Sequence, residues 1–360
     1  MDFALADEQM MLTESLGRLL ADCAPLARTR RFAEQDEARA GEVWQALTEL
    51  GVPGLAIAER HGGSGLGLLD CALAAETLGR HVAPVPFVAS SVMAPLALSI
   101  AGSPAQQAEW LPRIASGRTV CGAALSEHCG ARENAGVTLH DGRLQGRALF
   151  VLDFAADAYL VASSTGALHW VTADAPGLVR EALITIDRTR RSGALVFDNV
   201  AAEALPGSAD GAALRRVLDA GRIALAADTL GAAQHMLEAA VTYAGQREQF
   251  GRIVASFQAV KHLCAEMAAA LEPARAMLWY AAHAQDHLPD EAHLQALQVK
   301  AHLAEVGTFV ARTATEVHGG VGFTDLLGLH YWFKRIGVNR QLLGGPEWLR
   351  QAAAVAQGYV

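Results

Sequence analysis

The sequence predicts a mainly α-helical chain with a β domain in its middle, and three observations carry that. Apolar residues recur at helical spacing through the first hundred or so residues. They alternate along short runs from about Thr119. They return to long helical periodicity from Ala212 onward. The domains expected are therefore residues 1–118, an N-terminal helical domain; 119–208, a middle β domain; and 209–360, a C-terminal helical bundle.

Along the chain, "DEQMMLTESLGRLLAD" and "EVWQALTELG" place apolar residues at i, i+3 and i+4, and the second runs into Gly51, a helix-ending glycine. "ERHGGSGLGLLDCALAAETLGRHVAP" is a glycine-rich loop opening a helix that Pro84 and Pro86 close. "AQQAEWLPRIASG" is a further short helix. In "GVTLHDGRLQGRALFVL" the pattern alternates, and Asp141-Gly142 is a two-residue hairpin signal. "DAYLVASS", "ALHWVTAD" and "GALVFDNV" read as strands. Three long alanine-rich helices and a shorter tail then predict an antiparallel four-helix bundle. Within it, Phe250-Gly251 marks the end of one helix and a sharp turn into the next.

Composition narrows the function. Of 360 residues 52% are hydrophobic, ample for a large core, and the net charge of −9 argues against a nucleic-acid partner. The start is an amphipathic helix without the basic and apolar regions of a signal peptide, and no run approaches the roughly 18 apolar residues of a membrane span. A cytoplasmic protein is expected. Five scattered cysteines without CxxC spacing predict reduced thiols and no metal site.

One segment is specific. "YAGQREQFGRIVASFQAVKHLCAEMA" resembles the signature of the acyl-CoA dehydrogenase family through Tyr243, Arg247, Gln249, Phe250, Gly251, Ile253, Phe257 and Gln258. "ATEVHGGVGFT" resembles the family's second motif. "ERHGGSGLG" and "VFDNVAAEALPG" resemble its amino-terminal loop and the strand leading into the bundle. The match spans the chain in order and implies the family's layout: helical domain, β-barrel, four-helix bundle. It also implies FAD, an acyl-CoA substrate and an electron-transfer flavoprotein as acceptor. By resemblance, Arg247 reaches across a dimer interface to the FAD pyrophosphate held by the neighbouring subunit. Gln249, Phe250 and Gln258 accompany it, and Gly319 and Gly320 admit the ADP moiety. A guanidinium and open backbone suit a diphosphate. Glu316 stands where the family commonly has glutamine, and its carboxylate suits a diphosphate less well.

The resemblance also shows losses. The family's α-proton base is a glutamate after the glycine turn, where this chain has Leu343 or Gly344. Other members carry it on the first bundle helix before an arginine, where Gly221 precedes Arg222. Glu347 lies three or four residues beyond the first position; its plain reading is a helix-start glutamate after Pro346. The flavin-ring motif T-E-P-x-x-G-S-D reads "SEHCGARE", keeping Ser126 and Glu127. The later W-I-T/S reads "FVLD", where Phe150 replaces a packing ring and Leu152 brings no hydroxyl. Arg188, Arg190 and Arg191 read as a solvated loop; His318, His330 and Lys334 as structural; Arg222 as an ion-pair partner.

Four readings stay open. The chain is one subunit of a heteromeric (α2β2) acyl-CoA dehydrogenase, lending the ADP end to its partner's FAD site and acting on bulky thioesters such as those of steroid breakdown. It is an autonomous dehydrogenase with a relocated base such as Glu347. It is a flavin-dependent monooxygenase of the same fold. It is a structural subunit without flavin.

Overall fold

Six helices precede the first strand in the computed structural model, which describes residues 4–35, 37–130 and 134–359. They are α1 (Asp7–Cys23), α2 (Leu26–Glu34), α3 (Gly41–Glu49), α4 (Leu68–Arg80), α5 (Ala94–Ala101) and α6 (Pro104–Ala115). Gly51 follows α3 in a left-handed conformation, as its position predicted. α6 opens with a capping box: Gln106 N donates to Ser103 Oγ, and Ser103 N donates to Gln106 Oε1. A π-helical turn, Val88–Met93, leads into α5.

The middle domain is two four-stranded sheets. Its strands are β1 (Cys121–Ala124), β2 (Gly136–His140), β3 (Arg143–Val151), β4 (Ala158–Ala162), β5 (Leu168–Thr172), β6 (Leu178–Leu183), β7 (Ser192–Ala201) and β8 (Glu203–Ala204). The orders are β1-β4-β5-β8 and β2-β3-β7-β6, and an Ala123–Leu152 bridge joins them. Asp141 and Gly142, at φ +50° and +74°, turn β2 into β3. The expected strands form. The sequence reading missed β6, an edge strand whose residues are mostly exposed, so no buried face imposes alternation on it.

The bundle is α7 (Ala212–Gln246), a two-stranded hairpin β9 (Glu248–Gln249) and β10 (Arg252–Ile253), then α8 (Gln258–His287), α9 (Pro289–His318), α10 (Leu329–Gln341) and α11 (Pro346–Ala356). α7 has no polar face and is the central helix, packed on α4, α8, α9 and α10. Its crossing with α4 is close. A Cβ on Gly231 would stand 1.8 Å from Glu76 O, and one on Gly79 would stand 2.1 Å from Asp228 O. The expected tail divides in two: α10 completes the four-helix bundle, and α11 packs on the outside of α9 around Leu297 and Leu349.

The Phe250-Gly251 expectation needs correction. The pair does not turn one helix directly into the next. It is the tip of the hairpin between them, with φ +54° and +72°. Arg247 leaves α7 in extended geometry, and Val254 N donates to Arg247 O (2.7 Å), closing the loop before α8.

Candidate functional site

The hairpin and the glycine turn share one end of the bundle. α7 and α9 both finish there, and the rings of Tyr243 and His318 meet at 4.8 Å. Arg247, Gln249, Gln258 and Glu316 are exposed, and Phe250 is 92% exposed. Phe250 meets Phe257 edge-on at 6.1 Å, while the Arg252 guanidinium lies 3.9 Å over the Phe257 ring. Gln249 Nε2 donates to Glu248 O, and Gln258 Nε2 lies 3.0 Å from His262 Nε2. Gly319 takes φ +63°, and a Cβ at Gly319 or Gly320 would meet nothing within 4 Å. This end exposes a guanidinium, amide groups and open backbone.

The two base positions meet each other. A Cβ on Gly221 would stand 2.7 Å from both Leu343 Cδ1 and Met93 Sδ. Leu343 is 3% exposed and left-handed at φ +56°. Arg222, buried beside it, donates from Nε to Leu343 O (3.1 Å) and from Nη1 to Asp219 Oδ1 (2.8 Å); His293 Nδ1 lies 2.8 Å from Asp219 Oδ2. Gly344 follows at φ +110°. Methionine and leucine methyls thus fill the space in which either carboxylate would stand. Glu347 is elsewhere: 70% exposed in the first turn of α11, bonded to Arg340 (3.0 Å). The helix-start backbone N–H and Arg340 hold its carboxyl below the usual range.

The ring side has a different character. Ser126 is buried and its hydroxyl donates to Leu149 O, while Glu127 accepts from Leu149 N (2.7 Å). The surviving Ser126-Glu127 pair therefore ties its turn to β3. Ala131, Arg132 and Glu133 of "SEHCGARE" lie outside the described residues. A register shift between Ala148 and Val151 puts Phe150 at φ +51°, and a cavity of about 400 Å³ opens beside it, between the end of β3, residues 185–192 and α10. Phe150 and Leu152 line it, as do Ile186, Val338 and Leu342. Asp153, whose carboxylate accepts from Ala89 N (2.7 Å), also lines it; burial pushes its pKa up to about 6.

Of the arginine loop only Arg188 is exposed; Arg190 and Arg191 are not solvated, contrary to what their charge suggested. Arg190 pairs with Asp228 (2.8 Å) and bonds Asn339 Oδ1; Arg191 donates to Phe32 O, Gln35 O and Glu37 O. Arg335 adds Asp228 Oδ1 (3.2 Å) and Ala83 O, so this cluster pins all three parts of the chain together. Lys300, buried, donates to Asn339 O (2.7 Å), and burial lowers its pKa to about 7. Sequence reasoning missed Met93, Asp187 and Asp228. The partners of Met93 and Asp228 are far away in the chain, and no local pattern signals them; Asp187 bonds locally, to Thr189, and only the fold buries it.

Comparison with known proteins agrees with this anatomy. The profile of the acyl-CoA dehydrogenase N-terminal domain matches residues 6–118, and that of the acyl-CoA dehydrogenase C-terminal domain matches 211–357. The chain is 31% identical over 346 residues to acyl-CoA dehydrogenase IpdE2 of Mycobacterium tuberculosis, covering 95% of this chain and 94% of that one. A solved structure of the Tcur3481-Tcur3483 steroid ACAD G363A variant superposes with a TM-score of 0.90 at 32% identity, covering 98% of each chain. The ChsE4-ChsE5 complex of Mycobacterium tuberculosis also gives 0.90, at 27% identity over the full length of both chains. The helical, β and helical parts thus form the fold of a family of FAD-dependent oxidoreductases. The chain belongs to the acyl-CoA dehydrogenase family.

FAD fits this chain unevenly. The open end of the bundle suits a diphosphate and adenosine: Arg247 is exposed and the glycine turn has room. The cavity beside Phe150 and Leu152 does not suit the flavin ring, for it presents leucine methyls and a buried carboxylate, Asp187.

Proposed function

We propose that the chain is one subunit of a heteromeric acyl-CoA dehydrogenase in which a related subunit holds the flavin ring, the thioester and the base. The contact of Gly221, Leu343 and Met93 carries this reading: both positions for a base are closed, while the cross-interface motif stands exposed. FAD supplies the hydride acceptor for α,β-dehydrogenation. This chain's part is to bind and orient. The Arg247 guanidinium meets the diphosphate, Gly319 and Gly320 let backbone approach the adenosine end, and Gln249, Phe250 and Gln258 pack around it. Glu316, a carboxylate, would face the ribose hydroxyls rather than the phosphates. Ser126 serves the turn that adjoins the ring. The domains are taken as 1–118, 119–208 and 209–360.

The relatives support a bulky substrate. One is named a steroid ACAD and another a ChsE4-ChsE5 complex; a ring-bearing acyl-CoA and an α2β2 assembly are the reading for this chain, with an electron-transfer flavoprotein as acceptor in the cytoplasm. Among the described residues no helix is long and apolar enough to cross a membrane.

The test is the FAD-to-protein ratio of the chain purified alone and after co-expression with a related dehydrogenase chain encoded nearby. A colourless lone chain that becomes yellow at about half an FAD per chain, and only with the partner, is the expected result. Arg247→Ala in that complex should weaken FAD retention by about tenfold or more, the scale of a lost charge-assisted contact to phosphate. A lone chain carrying a full complement of FAD defeats the reading.

A further inference from the structure

Two side-chain rings stand beside the two halves of the exposed end of the bundle. Tyr243 lies one helical turn before Arg247, and His318 lies directly before Gly319. Arg247 N donates to Tyr243 O (2.9 Å), so the arginine leaves α7 from the turn that carries Tyr243. Helix ends fray, and their last turns keep their place only through what packs on them. In the last two turns of α7 only Ala240 and Ala244 are fully buried, and Tyr243 is the one ring. That ring meets the ring of His318 at 4.8 Å with a tilt of 31°, the geometry of an aromatic pair that adds to burial.

His318 is 4% exposed and touches three things at once. Its Nδ1 lies 2.7 Å from Ala314 O in its own helix, and the backbone of Ala239, on α7, hydrogen-bonds the ring as well. The glycine turn folds back onto it: a Cβ on Gly322 would stand 2.8 Å from Thr315 O and 2.9 Å from His318 Cβ. The residue therefore joins the end of α7, the end of α9 and the turn that follows. A binding site assembled from two helix ends needs such a tie, because its groups must be held to within about 0.5 Å of the productive geometry.

We propose that the Tyr243–His318 ring contact is the positioning element of this end: it sets how far the Arg247 arm stands from the Gly319–Gly320 turn, and so how well the two together grip the ADP portion of FAD. This rests on the half-site reading of that end. Tyr243 and His318 act through Arg247 and the turn.

The test is the FAD dissociation constant of the complex co-expressed with the related dehydrogenase chain, read from flavin fluorescence on dilution. Arg247→Ala is measured first. If that variant holds FAD as the unsubstituted complex does, the half-site reading fails and this inference falls with it. Where Arg247→Ala weakens FAD, His318→Ala and Tyr243→Ala should each raise the dissociation constant about fivefold or more, the scale of a lost aromatic pair. The double variant should bind no worse than either single one, because the pair is removed only once. His318→Phe keeps a ring in place and should bind as the unsubstituted complex does. Leu297→Ala, in the separate cluster between α9 and α11, should lower the urea midpoint of the complex and leave FAD affinity alone. The positioning role is overturned, with the half-site reading intact, by His318→Ala that binds FAD normally, by His318→Phe as weak as His318→Ala, by additive effects of the two alanines, or by Leu297→Ala losing FAD as His318→Ala does.

Discussion

Gly221 is where a single atom decides the outcome. Glycine inside a helix ordinarily costs about 1 kcal/mol relative to alanine, so Gly→Ala there normally stabilises. Here the new methyl would lie 2.7 Å from Leu343 Cδ1 and Met93 Sδ. The Met93 thioether is flexible and can yield. Leu343 is branched, buried and held through its carbonyl by Arg222. Overpacking of this kind costs about 1–3 kcal/mol, more than the propensity gain. Gly221→Ala should therefore destabilise, whereas in a Leu343→Ala background the same change should be neutral or stabilising. A four-member set of urea unfolding curves measures that reversal; the same sign in both backgrounds would show that Leu343 is not what Gly221 accommodates. The sequence revealed that both base positions lack an acid. It did not reveal that they touch, because α7 and the loop after α10 are joined only by the fold.

The long helices were the most legible elements, since their periodic pattern is repeated over many turns. The hairpin β9–β10 was not, because two-residue strands between two helices carry no periodicity. Its motif residues were identified while its shape was misjudged. Phe250 sits at a left-handed tip that suits asparagine better than phenylalanine. Phe250→Asn should leave the lone chain's stability within about 0.5 kcal/mol, as for other surface positions. The heteromer should weaken by about tenfold or more, as when an aromatic anchor is lost. Equilibrium unfolding and analytical ultracentrifugation read the two effects separately. The opposite case is α7 at Asp228. Removing that carboxylate leaves Arg190 and Arg335 buried without their counter-ion, and Asp228→Ala should cost about 3–5 kcal/mol in a denaturant titration. In the sequence Asp228 is a polar residue within the largely apolar run "IALAADTLGAA". Its partners come from the β domain and α10, so its importance was not readable locally.

At the scale of the molecule, helical, β and helical blocks were readable because each has its own hydrophobic period. The β6 edge, the external α11 and the Asp187 cavity were not, since each depends on what packs nearby. Buried histidines give the whole chain a direction in pH. Burial lowers the pKa of His81, His169, His235, His318 and His330, His235 to about 4 from 6.5. The unfolded chain takes up protons below pH 6.5 that the folded chain refuses, so stability is retained above that pH and lost as pH falls toward 4. Asp153, raised to about 6 by burial, opposes this, because its folded form holds a proton that the unfolded form gives up. Five groups outweigh one, and the melting temperature should fall between pH 6.5 and 4.5. A flat profile across that window would mean that the histidines are hydrated in the folded state.

The 92% exposed Phe250, with Phe323 and Leu326 at 78% and 75%, has a consequence in the cell. A chain synthesised in excess of whatever covers that end displays sticky aromatic and aliphatic surface of the sort that chaperones retain and proteases sample. In the heteromer proposed above, its abundance would then follow the supply of the covering chain, making balanced translation of the two messages a requirement for accumulation.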